Sequence, residues 1–157
     1  MKKLVSVVSA AALIAAAASM SVSATEVNPG NVNTPVSTTV TLNLDSMYTV
    51  TIPASVNLTE TAAGSGIYSG SDTIAASDVR IPNGQKIKVT VNSDFELSAG
   101  TATLTYKMTA NGTDVADGGT AAEFTTNGSV DLGFETTSAL QYSGNYSDTM
   151  TFNISVE

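Results

Sequence analysis

Ala102-Thr-Leu-Thr-Tyr-Lys-Met108 decides the fold class. Ala102, Leu104, Tyr106 and Met108 fall on one parity, and Thr103, Thr105 and Lys107 on the other. A period of two is that of a β-strand with one apolar and one solvated face. The same alternation recurs on both sides of this run. Upstream it appears in Val40-Thr-Leu-Asn-Leu44, in Tyr48-Thr-Val-Thr-Ile52 before Pro53, and in Ile87-Lys-Val-Thr-Val91, with Phe95 and Leu97 flanking Glu96. Downstream it appears in Val130, Leu132 and Phe134, and in the longest set, Tyr146, Met150, Phe152, Ile154 and Val156. From Val36 onward no window of ten residues carries a helical apolar stripe.

Turn residues separate the runs: Asp45-Ser46, Gly64-Ser65-Gly66, Pro82-Asn83-Gly84, Asn92-Ser93-Asp94, Asn111-Gly112, Gly118-Gly119, Asn127-Gly128 and Ser143-Gly144. Asn-Gly is the strongest hairpin signal because both residues tolerate positive φ. Sheets with one dry face must close on one another. The expected architecture is therefore an all-β, immunoglobulin-like antiparallel β-sandwich of about seven to nine strands, with a jelly roll or small barrel as the alternative. Residues 60–80 are too rich in Gly and Ala to define a strand by pattern, and Ile74, Val79 and Ile81 read as a sheet edge. The segment 36–44 reads as the first strand of its own sandwich. Its lack of charge also suits it to pair with a neighbour's sheet edge.

The N-terminus has the three regions of a secretory signal. Lys2 and Lys3 precede an apolar stretch from Leu4 to about Ala18, and Val22-Ser23-Ala24 offers small residues for cleavage. That stretch falls short of the roughly 20 residues that span a bilayer. The expected organisation is a helical signal peptide at 1–24, a flexible Asn-, Pro- and Gly-rich leader at 25–35, and one sandwich domain at 36–157. Loss of Lys2 and Lys3 leaves four basic residues (Arg80, Lys86, Lys88, Lys107) against fourteen acidic ones, a net charge of −10. Nucleic acid and anionic membrane surfaces are poor partners for such a chain. The expected location is secreted, extracellular or cell-surface, with the periplasm as its counterpart in a two-membrane cell, and no membrane insertion after signal cleavage.

The chain has neither Cys nor His. Ser-His-Asp and Cys-His nucleophiles, His general bases and His- or Cys-ligated zinc are therefore unavailable. Asp114, Asp117 and Glu123 around Gly118-Gly119, with Asp72 and Asp78, form the densest acidic loop content, but their spacing lacks a calcium-loop pattern and solvated turns are expected. Asp94 with Glu96, and Asp131 with Glu135, are the pairs that could be put forward for glycoside hydrolysis. Both lie beside strands, where outward faces carry charge. Lys86 and Lys88 share one wet strand face and read as guards against edge aggregation before they read as half of a Ser-Lys dyad. Tyr146 after Gly144 reads as core or as a tyrosine-corner-like element. Asn57, Asn111, Asn127, Asn145 and Asn153 head Asn-x-Ser/Thr triplets that a chain so rich in these residues produces by chance. No catalytic, cofactor-binding or metal-binding residue is assigned, and no enzymatic activity is expected.

Ser46-Met-Tyr-Thr-Val-Thr-Ile-Pro-Ala-Ser-Val-Asn-Leu58 and Gly144-Asn-Tyr-Ser-Asp-Thr-Met-Thr-Phe-Asn-Ile-Ser-Val156 together resemble small secreted immunoglobulin-like domains of bacterial surface, adhesin or pilin-like proteins. The sequence departs from neighbouring patterns: it has no Trp-x-Leu motif, no sortase signal and no Cys pair. The resemblance implies the sandwich fold and a structural role at the surface, as a subunit of a filament, coat or matrix, with self-association or another surface protein as partner. An adhesin-type module that recognises protein or carbohydrate through its loops is the alternative.

Overall fold

The computed structural model describes residues 9–11 and 39–157. Its strands are β1 (Ser9–Ala11), β2 (Met47–Thr51), β3 (Thr59–Glu60), β4 (Tyr68–Arg80), β5 (Ile87–Asn92), β6 (Glu96–Ala99), β7 (Ala102–Ala110), β8 (Thr113–Val115), β9 (Thr120–Phe124), β10 (Gly128–Thr136) and β11 (Thr151–Val156). The larger sheet runs β1-β2-β4-β10-β7-β6, with β3 added to β4 and β8 to β7. The smaller runs β11-β5-β9. All pairs are antiparallel, and no helix occurs among the described residues.

The parity read from the sequence places the core. Val50, Ile74, Ala76, Tyr106, Met108, Val130, Leu132 and Phe134 of the larger sheet pack in one cluster with Ile87, Val89, Val91, Ala121, Ala122 and Phe124 of the smaller. Two sheets sharing one dry interior make a β-sandwich, as expected. The strands outnumber the expected seven to nine because pieces of two to four residues, β1, β3, β6 and β8, extend the edges.

Several local expectations are corrected. Residues 60–80 are not an ill-formed edge: β4 is the longest strand and lies inside the larger sheet, between β2 and β10. Its one glycine is there for space. A Cβ on Gly70 would stand 2.8 Å from the Asn57 carbonyl oxygen and 2.9 Å from Leu58, because residues 56–58 cross over the strand at that point. Asn111-Gly112 is the hairpin expected: both residues have positive φ, 48° and 79°, and the turn joins β7 to β8. Asn127-Gly128 is no hairpin, since β9 and β10 lie in different sheets. Asn127 instead accepts, through Oδ1, the Val79 N–H at 2.9 Å. That N–H is left over by a bulge in β4, where Asp78 (φ 54°) and Val79 face one residue of β2.

Two expectations about the N-terminal region also change. Within 1–24, Ser9–Ala11 is strand and not helix, taking the edge backbone groups of β2 in the register Ser9 to Thr51. The rest of the expected signal peptide and the expected leader at 25–35 lie outside the described residues, as do residues 36–38 of the expected first strand. Thr39–Ser46 joins no strand ladder among the described residues: it carries no regular structure, and every residue in it is exposed. The first strand that belongs to both pattern and sheet is β2.

Candidate functional site

The acidic residues weighed as calcium ligands are dispersed, each with a local task. Asp117 Oδ1 accepts the Ser93 N–H at 3.1 Å and a side-chain N–H of Asn92 at 3.4 Å, tying the β8–β9 loop to the end of β5. Glu123 lies on the outer face of β9 and accepts from Lys86 at 2.7 Å. Asp72 accepts its neighbour Thr73 N–H, Asp78 forms the β4 bulge, and Asp114 sits in β8 opposite Thr109. Among the described residues no three carboxylates converge where they could hold a cation.

The carboxylate pairs are no closer to a site. Asp94 accepts the Glu96 N–H at 3.1 Å in an Asx turn. Asp131 and Glu135 point outward from β10, and Glu135 pairs with Lys107 at 3.9 Å. Lys86 and Lys88 are engaged by acids: Lys86 Nζ lies 2.7 Å from Glu123 and 3.6 Å from Glu157, and Lys88 Nζ 3.1 Å from Glu157. The hydrogen bond to Glu123 raises the Lys86 pKa, and the hydrogen bond from Lys88 lowers that of Glu157. Four charges thus clip β9, β5 and the end of β11 together on the wet face. Of the Asn-x-Ser/Thr asparagines, Asn111, Asn127 and Asn153 have side chains committed to hydrogen bonds within the domain.

The polar feature that the sequence did not reveal is internal. Asp148, just before β11, accepts the Tyr106 hydroxyl at 2.6 Å and the Ser93 hydroxyl at 2.7 Å on the same oxygen. Burial, then the bond to Asp148, pushes the Tyr106 pKa well above the ordinary tyrosine value. The geometry of this triplet is that of a brace between β5, β7 and the approach to β11. Tyr146 plays the corner role expected, its hydroxyl donating to the Tyr142 carbonyl at 3.2 Å. Two open surface depressions are lined by Ile81–Lys86 with Thr125, and by Ser138–Tyr142 with Thr103, Leu104 and Tyr146.

What stands out is apolar and exposed. Val40, Leu42 and Leu44 are 91%, 79% and 63% exposed, all of one parity, in a segment that no sheet receives. The other unbalanced element is β11. Phe152, Ile154 and Val156 face the core but are only half-buried, because β11 ends its sheet and, among the described strands, has a neighbour, β5, on one side alone.

No protein-family model and no curated protein matches the sequence. Among solved structures, one described as "Chaperone-tip adhesin complex is vital for synergistic activation of CFA/I fimbriae biogenesis" is similar at 14% identity and a TM-score of 0.43, over 64% of this chain and 38% of that one. The chain thus spans about two fifths of the structure it matches, a likeness too slight to fix fold or partner.

Proposed function

We propose that this chain is a non-enzymatic, exported structural protein that self-associates as a subunit of a surface filament, coat or matrix. The observation that carries the reading is the row Val40, Leu42, Leu44, strand-patterned, uncharged and exposed. Three large apolar side chains on one parity of an unpaired segment are an unusual exposure for a solitary domain. Burying each is worth about 1.5–3 kcal/mol, and an extended segment adds main-chain hydrogen bonds when it joins a sheet edge. The absence of His and Cys and the local commitments of the carboxylates leave catalysis without visible machinery, which agrees with a structural role.

The test is the size of the exported protein, purified after expression of the full chain, by size-exclusion chromatography and negative-stain microscopy. Filaments or a ladder of oligomers are expected, and they should disappear when residues 25–44 are deleted while the fold persists. A monomer at all concentrations overturns the reading and leaves the adhesin-type module in its place.

A further inference from the structure

Resting on that reading, we infer that the outer edge of β11 is the acceptor, and that residues 40–44 of a second copy add to it as an antiparallel strand, with Leu42 opposite Ile154.

The backbone alternation fixes which groups are free. Lys86 and Glu157 exchange both of their main-chain hydrogen bonds, at 2.8 and 3.0 Å, and the β11–β5 register continues from there without a shift. The N–H and C=O groups of Thr151, Asn153 and Ser155 therefore point to β5, and those of Phe152, Ile154 and Val156 point away from it. The residues with free edge groups are thus the same three whose side chains are incompletely covered. In an antiparallel pair, directly opposed residues place their side chains on the same face. An added strand that satisfies Phe152, Ile154 and Val156 must then carry its own apolar residues at every second position and present three of them. Val40, Leu42 and Leu44 meet that demand: with Leu42 opposite Ile154, Val40 faces Val156 and Leu44 faces Phe152. Thr41 and Asn43 then fall on the wet face beside Ser155 and Asn153, matching polar to polar.

The other edges are guarded. The β2 edge, which Ser9–Ala11 covers only in the uncleaved chain, has a ladder with β4 that is bulged. The outer edge of β6 is bridged by Ser147. β9 carries Glu123, and its pairing with β5 is irregular. β11, Thr-Phe-Asn-Ile-Ser-Val, has no charge, proline, glycine or bulge, so it lacks the devices that keep an edge strand solitary.

The lack of native cysteine makes cross-linking a clean test. In the proposed register Thr41 and Ser155 form a non-hydrogen-bonded pair, whose Cα separation of about 4.5 Å suits a disulfide. Thr41→Cys and Ser155→Cys proteins, exported from the full chain, mixed and mildly oxidised, should yield a disulfide-linked heterodimer as the main product. Thr41→Cys mixed with Thr49→Cys, on the β2 edge, should not. Oligomers that cross-link through Thr49→Cys, or through Ser155→Cys with itself, overturn the β11 assignment while self-association stands. A double variant that closes its disulfide within one monomer overturns it as well, because the segment would then serve its own domain. A protein that forms no oligomer overturns the underlying reading.

Discussion

The Tyr106 hydroxyl donates to Asp148 Oδ2 at 2.6 Å, across 42 residues of sequence, and so fastens the core strand β7 to the turn that launches β11. Ser93, at the end of β5, donates to the same oxygen at 2.7 Å. Tyr106→Phe keeps the ring, including its edge-on contact with Phe95 at 5.6 Å, and removes only the donor. A hydrogen bond to a charged acceptor contributes about 1.5–3 kcal/mol, so thermal unfolding should show a fall in Tm of roughly 3–10 °C. Asp148→Ala should cost more, because it takes the charged acceptor from two buried hydroxyls at once and leaves them only the weaker 3.4 Å contact with each other. The pH dependence has a definite sign. The folded-state pKa of Tyr106 is raised from the ordinary value of 10.0, so its contribution is present below that value and is lost as pH rises through the folded pKa. The stability gap between the wild type and Tyr106→Phe should therefore narrow above pH 10.

Gly70 is the second point of close approach. A methyl group there would lie 2.8 Å from a backbone oxygen and 2.9 Å from Leu58, and a backbone oxygen yields less readily than a side-chain end. Gly70→Ala should destabilise by about 1–3 kcal/mol in a denaturant titration. The adjacent exposed Ser71→Ala should stay within about 0.5 kcal/mol of wild type.

The ion cluster on the smaller sheet should matter little to stability and depend on salt. Glu157, held by Lys88 and Lys86, has a lowered pKa, so its contribution is present above the ordinary value of 4.5 and is lost as pH falls through the lower folded value. Glu157→Gln should thus resemble wild type at acid pH and unfold slightly earlier at neutral pH. Because all four side chains are solvated, that small difference should vanish at about 1 M salt, where the Debye length is about 3 Å. A difference that survives high salt would point to packing instead of charge.

The parts of the fold legible in the sequence are those set by side-chain parity. β5, β7, β10 and β11 announced their buried faces through Ile87/Val89/Val91, Leu104/Tyr106/Met108, Val130/Leu132/Phe134 and Phe152/Ile154/Val156, and all lie as that parity requires. What parity cannot show is which elements lie against which. β4 is hidden from pattern because Gly70 answers to residues 56–58, and Asn127-Gly128 looks like a hairpin although the Asn127 side chain serves a distant bulge. The Tyr106–Asp148–Ser93 brace joins three separate stretches and leaves no local pattern. The converse holds at Val40–Leu44, where the alternation is real but no described strand receives it. Pattern specifies that a strand can form there, and only the three-dimensional arrangement shows that no described strand takes it as a neighbour.

That exposed alternation makes Leu42 the most informative residue to change. It is 79% exposed and outside every strand, so Leu42→Asp should leave the denaturation midpoint of the isolated domain within about 0.5 kcal/mol of wild type. If the side chain is buried between copies, the same change removes about 1.5–3 kcal/mol of apolar burial and adds the cost of a desolvated, unpaired carboxylate. Oligomers should then be lost at concentrations where the wild type is fully assembled, as read by analytical ultracentrifugation. Leu42→Ile, which keeps parity and volume, should assemble normally, and Thr41→Asp, on the opposite parity, should weaken assembly much less than Leu42→Asp. Equal effects at positions 41 and 42 would mean that charge in the segment, and not a buried strand face, governs association.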